Sequence, residues 1–257
     1  MTYIRLQDID KTFYMKNDQA YYALKNISLN IEKGDFITVI GGNGAGKSTL
    51  LNALAGTFFL DSGKIIIDEQ DVTQLPEHKR AKQISRVFQD PSLGTAPRMT
   101  ILENMALAYR RGKKRTLKRG HSHDEKEFFK QQLASLNLNL ETRLESEVGV
   151  LSGGQRQAIA LIMATLHSPE LLLLDEHTAA LDPKTQRMIM ELTHQIIKNN
   201  HLTSLMITHH LPDALHYGNR LIVLHRGEIV KDFNEEEKKA LHVTDLYELL
   251  LTLDERM

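Results

Sequence analysis

The chain contains no cysteine, which excludes disulfides and thiolate-ligated metal sites and fits a reducing compartment. It has no apolar run approaching the ~18–20 residues that span a bilayer, so a membrane role has to come through a partner. The opening Met1-Thr2-Tyr3-Ile4-Arg5-Leu6 lacks a basic region followed by an apolar stretch, so no secretory leader is expected. A soluble, cytoplasmic protein is the expectation. Net charge is only −1 over 257 residues, so nothing global points to nucleic acid as a partner. Repeats and low-complexity linkers are absent too. What is present is an ordinary globular composition, 41% hydrophobic and 25% charged, long enough to bury a good-sized core.

Strands dominate the first third. Residues 3–13 alternate loosely and Ile27-Ser28-Leu29-Asn30-Ile31 alternates cleanly, as a half-buried strand does. Lys33-Gly34 then leads into Asp35-Phe36-Ile37-Thr38-Val39-Ile40, which predicts a hairpin. A helix follows the next glycine-rich loop and ends at Gly56, and residues 63–68 form another short strand. From about residue 90 to 150 the texture is helical and polar. The run Leu171-Leu172-Leu173-Leu174 suits a strand buried on both faces. Residues 183–198 read as a helix, 203–207 as a further buried strand, and 220–233 as a hairpin around Arg226-Gly227. Strands alternating with helices predict an α/β fold with a mostly parallel sheet. The leading strands add an antiparallel edge, and the helical stretch is an insertion.

The strongest motif is Gly41-Gly42-Asn43-Gly44-Ala45-Gly46-Lys47-Ser48-Thr49, which fits Gly-x-x-x-x-Gly-Lys-Ser between a strand and a helix. Its glycines let backbone approach phosphates, and the helix start adds partial positive charge. Lys47 is placed to neutralise β/γ oxygens and Ser48 to offer a hydroxyl to Mg²⁺. Asp175 ends a buried strand, where a carboxylate holds Mg²⁺ through water, and Glu176 beside it is the candidate base for an attacking water. Gln89 follows the strand-like Ser85-Arg86-Val87-Phe88, and His209 follows Ile207-Thr208. A second phosphate-binding helix start lies at Leu151-Ser152-Gly153-Gly154-Gln155. One nucleotide needs one cradle, so a second implies a nucleotide shared with another copy of the fold. In isolation the same five residues are a helix cap.

Laid out in order, these segments resemble the ATPase subunit of ABC transporters over nearly the whole length. The resemblance makes residues 41–49 the Walker A loop, Gln89 the Q-loop glutamine and metal neighbour, and residues 151–155 the signature. Asp175 closes Walker B, Glu176 is catalytic, Ala180-Leu181-Asp182 is the D-loop and His209 the switch histidine. It implies a single P-loop ATPase domain, with residues 1–89 and 167–257 as RecA-like core plus antiparallel edge and 90–166 as the helical subdomain. It further implies a homodimer or heterodimer sandwiching two ATP molecules, each between one copy's loop and the other's Ser152, Gly153 and Gly154. Phe13 is the adenine-stacking choice, with Tyr14 and Tyr22 as rivals.

Membrane permease subunits are the implied partners, with a solute-binding protein acting indirectly, at the inner face of the membrane. Nucleic acid is not expected. The segments Asp175-Glu176-His177-Thr178-Ala179-Ala180 and Gln89-Asp90-Pro91 are similar to a bacterial importer subgroup linked to tryptophan-type or other aromatic amino-acid uptake. The alternative is a soluble ABC-type ATPase outside transport, though such proteins generally carry two cassettes or a long coiled coil. Two positions depart from the family pattern. His177 stands where proline is usual, which would loosen the backbone, and His210 follows His209 where Asp or Asn is usual. The basic run Arg110-Arg111-Gly112-Lys113-Lys114-Arg115, with Lys118 and Arg119, reads as a solvated face, or as a contact for anionic headgroups or an acidic permease surface.

Overall fold

The computed structural model describes residues 2–14, 19–113 and 121–255. The chain divides into two units, Met1–Arg80 with Leu202–Met257, and Ala81–His201. The first unit begins with β1 (Thr2–Tyr14), β2 (Ala20–Glu32), β3 (Phe36–Ile40), α1 (Lys47–Ala55), β4 (Ser62–Ile67), β5 (Gln70–Asp71) and α2 (Glu77–Arg80). The second carries β6 (Ile84–Val87), α3 (Ile101–Tyr109), α4 (His123–Ala134), α5 (Gly153–Thr165), β7 (Leu171–Asp175) and α6 (Pro183–Asn199). The remainder of the first adds β8 (Ser204–Ile207), α7 (Leu211–His216), β9 (Arg220–His225), β10 (Glu228–Phe233), α8 (Glu235–Ala240) and α9 (Val243–Glu255).

In the first unit β1, β2, β4 and β5 form an antiparallel sheet in the order β2-β1-β4-β5. β2 alternates along its second half, burying Ile27, Leu29 and Ile31 while the residues between face outward. The expected hairpin between residues 27–31 and 35–40 does not form. β2 pairs with β1, whereas β3 lies parallel to β8 on one side and β9 on the other. The reason is burial: all five residues of β3 are buried, so both of its faces need cover, which one-sided β2 cannot share. The turn at Lys33-Gly34 therefore moves the chain from one sheet to another. The expected hairpin at Arg226-Gly227 does form, joining antiparallel β9 and β10. Both turn residues have positive φ (48° and 84°), as a tight hairpin of matching twist requires.

One buried cation shapes this unit and carries no sequence motif. Arg80 is 1% exposed. Its Nη1 donates to the Ala53 and Leu54 carbonyls, its Nη2 to Thr73 and its Nε to Leu75, all at 2.7–2.9 Å. Burial lowers its pKa to about 10, so it stays charged at neutral pH. A guanidinium on the last carbonyls of α1 satisfies groups the helix leaves orphaned and complements its negative end.

In the second unit β6 and β7 run parallel, Ile84 opposite Leu171 and Val87 opposite Leu174. Leu171, Leu172, Leu173 and Leu174 are fully buried, each worth about 1.5–3 kcal/mol of apolar burial. Beside this pair, α3, α4, α5 and α6 share a core that includes Ile101, Met105, Phe129, Ile159 and Ile189. Thr100, Ser122 and Ser152 each start their helix with a complete capping box, which fixes where the helix begins.

Candidate active site

In the first unit the parallel strands β3 and β8 end side by side, Val39 opposite Ile207, with the Thr208 amide donating to the Val39 carbonyl at 3.2 Å. Their C-terminal ends lead directly into Gly41 and His209, so the sheet brings the glycine loop and the histidine to one edge. That edge is where open α/β sheets place their ligands. Gly46 caps α1 with φ 100°, and no side chain caps the helix. A Cβ on Gly46 would stand 2.5 Å from the Ala23 carbonyl oxygen, so no other residue fits without moving backbone. The first turn of α1 also lacks an acidic residue. An anion is therefore met by amide dipoles and positive charge, with no carboxylate of the first turn competing.

Lys47 is 6% exposed, and its Nζ donates to the carbonyls of Gly41 at 2.8 Å and Gly42 at 2.9 Å. The lysine thus lies folded over its own loop. Tyr21, on β2, donates its hydroxyl to the Gly44 carbonyl at 2.6 Å and so braces Asn43, Gly44 and Ala45 from outside. Ser48 and Thr49 follow in the first turn of α1. Phe13 is 40% exposed and meets Phe58 edge to face at 5.4 Å, with Lys11 Nζ 5.5 Å from its ring. Tyr14 and Tyr22 are more exposed than Phe13. His209 is exposed, and its neighbour His210 pairs with Asp213 at 3.0 Å.

The second unit repeats the arrangement. β6 and β7 end together, so Gln89 and the Asp175-Glu176 pair emerge at one edge of their parallel pair. Gln157 Nε2 donates to the Phe88 carbonyl at 3.1 Å and ties the backbone beside Gln89 to α5. Asp175 accepts from Arg86 Nη2 at 2.5 Å, with both side chains about 15% exposed. The Arg86 guanidinium also lies 4.7 Å from the Phe88 ring centre. Glu176 takes a left-handed backbone conformation, φ 47°, which costs a non-glycine residue about 1–3 kcal/mol and tends to cluster at functional sites.

His177 does not slacken the chain there. Its side chain is 2% exposed and its Nε2 lies 2.9 Å from Thr193 Oγ1 on α6. Burial lowers its pKa to about 4, so the ring is neutral. Asp182 begins α6 as its cap, accepting from the Lys184 and Thr185 amides at 3.1 Å. Hydrogen bonds from Thr185, first through its side chain and then through its amide, hold the Asp182 carboxyl below its usual range.

Ser152 Oγ accepts from the Gln155 amide at 3.3 Å, and Gln155 Oε1 accepts from the Ser152 amide at 3.2 Å. The amides of Gly153 and Gly154 lie between them in the first turn of α5. A Cβ on Gly154 would sit 2.3 Å from Thr185 Cγ2, so any larger residue there obliges Thr185 to shift. Of the basic run, Lys114, Arg115, Lys118 and Arg119 lie outside the described residues. The described members make contacts of their own. Arg110 pairs with Glu125 at 3.0 Å, Arg111 donates to Ser85 Oγ at 2.8 Å, and Lys113 Nζ stands 3.7 Å from the Tyr109 ring centre. A groove of about 880 Å³ runs past Leu93, Ala96, Leu107, Arg110 and Lys113, with Leu93 70% and Leu107 57% exposed. No helix among the described residues is long and apolar enough to cross a membrane.

Sequence reasoning missed Arg86, Tyr21 and Gln157. No spacing rule joins Arg86 to Asp175 or Tyr21 to Gly44: the pairing of β6 with β7 makes the first meeting, and packing of β2 against the loop makes the second.

A family model described as ABC transporter matches residues 24–179. The tyrosine transport ATP-binding protein of Clostridioides difficile (strain R20291) is 46% identical over 245 residues, covering 95% of this chain and 97% of that protein. The spermidine/putrescine import ATP-binding protein PotA of Pasteurella multocida (strain Pm70) is 35% identical over 91% of this chain, which spans 59% of PotA. Among solved structures, a dimeric post-hydrolysis state of the ATP-binding cassette MJ0796 with ADP and Pi is similar. It has 30% identity and a TM-score of 0.77, covering 90% of this chain and 98% of that one.

Proposed function

This chain belongs to the ABC transporter family of ATP-binding, ATP-hydrolysing subunits, and on that premise we propose that it drives import of an aromatic amino acid. Two copies, or this chain and a homologous partner, enclose two ATP molecules at the inner face of the cell membrane. A permease is the partner in the membrane, and a solute-binding protein delivers the cargo. The dimeric form of the MJ0796 cassette and the tyrosine transport relative support this reading. The observation that carries it is the shared plan of the two units, in which parallel strands end on Gly41 and His209 in one and on Gln89 and Asp175-Glu176 in the other.

The residues act in stated roles. Residues 41–49 hold the phosphates through amides of the loop and α1, and Lys47 leaves the Gly41 and Gly42 carbonyls to neutralise them. Ser152 and the amides of Gly153 and Gly154 approach the other copy's ATP, and Asp182 shapes the same interface. Glu176 accepts a proton from the attacking water, and His209 steadies the charge at the γ-phosphate. Phe13 stacks on adenine.

The donors Ser48, Gln89 and Asp175 are all oxygen ligands, which suit Mg²⁺. That ion is ordinarily held by one or two carboxylates plus phosphate oxygens. Mg²⁺ would supply charge neutralisation at the β/γ oxygens, and Arg86 would have to yield the Asp175 carboxylate to it. The permease is placed at the groove beside Leu93 and Leu107, whose lining joins these exposed leucines to Arg110, Lys113 and Glu125.

Glu176→Gln tests the reading. ATP affinity should hold while turnover falls about 10²–10⁴-fold, and an ATP-bound dimer should accumulate on gel filtration. Near-normal turnover would remove Glu176 as the base. Uptake of labelled tyrosine by vesicles holding the cognate permease would test the substrate, and ATP turnover indifferent to cargo would count against it.

A further inference from the structure

The turn after β7 places a strained residue directly before an anchored one. Glu176 has φ 47°, and its carbonyl accepts from the Ala179 amide at 3.0 Å. His177 then plunges into the core and meets Thr193 Oγ1 at 2.9 Å. Thr193 is fully buried and gives its own hydroxyl proton to the Ile189 carbonyl at 2.7 Å. A hydroxyl has one proton, so Thr193 is the acceptor in the other bond and His177 donates through Nε2–H. This fixes the tautomer and the ring orientation together. Five residues on, Asp182 caps the same helix through the Lys184 and Thr185 amides. The segment from 176 to 182 is thereby held to α6 at both ends.

A non-glycine residue stays in that region only where its surroundings over-determine it. The turn bond from the Ala179 amide to the Glu176 carbonyl is one constraint, and the buried His177 side chain with its bond to Thr193 is another. A proline at this position would fix the backbone through its ring. Histidine has a free φ and supplies the constraint through a side-chain bond instead. We infer that His177 is a positioning residue, whose bond to Thr193 holds the Glu176 backbone in the geometry from which its carboxylate reaches the attacking water. The inference rests on Glu176 as the base, and it adds the residue that holds its backbone.

The test is steady-state ATPase kinetics on the full chain, with ATP affinity and melting temperature measured alongside. Thr193→Val removes the acceptor at constant volume. It should lower kcat about 10- to 100-fold, the cost of misplacing a catalytic group by an ångström or so, and leave KM and ATP affinity unchanged. His177→Leu should match it, whereas Thr193→Ser and His177→Gln, which keep a hydrogen bond, should restore kcat. In a Glu176→Gln background, Thr193→Val should change kcat no further, because both act through one group.

A native kcat for folded Thr193→Val would overturn the inference, as would a lowered melting temperature with kcat intact. Failure of Glu176→Gln to impair turnover would instead overturn the assignment of the base, so the two failures are separable.

Discussion

The two units reach their functional edges by different means. In the first, the site is mainly backbone, with Gly41, Gly42, Gly44 and Gly46, an uncapped helix start and a lysine resting on its own loop carbonyls. In the second, the site is built from side chains held by other side chains or by the amides of a helix start. Asp175 rests on Arg86, His177 on Thr193, Asp182 on the start of α6, and Ser152 on Gln155. A backbone cradle fails as a unit when one Cβ intrudes. A side-chain network loses one contact at a time, and each loss has a modest size.

The largest expected effect follows from Gly46→Ala. Its φ of 100° and the Ala23 carbonyl at 2.5 Å from a new Cβ should cost on the order of 3 kcal/mol, read by urea denaturation, and abolish ATP binding. Parental stability would mean that the loop backbone is not fixed. Arg86→Gln comes next, since it leaves the Asp175 carboxylate without its cation and should cost about 2 kcal/mol. Mg²⁺ should recover part of that loss and a chelator deepen it, and indifference to Mg²⁺ would separate Asp175 from the metal.

Ser152→Ala is the smallest in stability, about 1 kcal/mol as a lost cap. Ser122→Ala, which breaks an equivalent capping box on α4, should cost the same and leave hydrolysis unchanged. Only Ser152→Ala should lower hydrolysis. Equal activity in the two would reduce the Ser-Gly-Gly start to a cap, leaving the second unit's site without it.

The backbone-built site was the more legible in sequence. Its glycine spacing is a local requirement of turns and close approach, so residues 41–49 announce themselves between a strand and a helix. The four-leucine strand and its Asp175-Glu176 ending were legible for the same reason, since burial on both faces leaves a contiguous apolar run. The turn at Lys33-Gly34 misled because a hairpin and a change of sheet share one local signal. Only the cover on both faces of β3 decides between them. Arg80 and Arg86 gave no signal, as their partners are carbonyls and a carboxylate brought near by packing. His177 was read through its backbone alone, whereas its role is set by a threonine sixteen residues away on the facing helix.

By itself, the sequence determined where the glycine loop, the Asp175-Glu176 ending and the Ser-Gly-Gly start lie, and the order in which strand, loop and helix present them. Those properties follow from local backbone sterics and from periodicity. The tertiary structure decided which strand ends meet and which buried groups hold the reactive ones, making Arg86 the partner of Asp175 and Thr193 the anchor of His177. Register and burial are properties of paired elements, so no single stretch of chain encodes them.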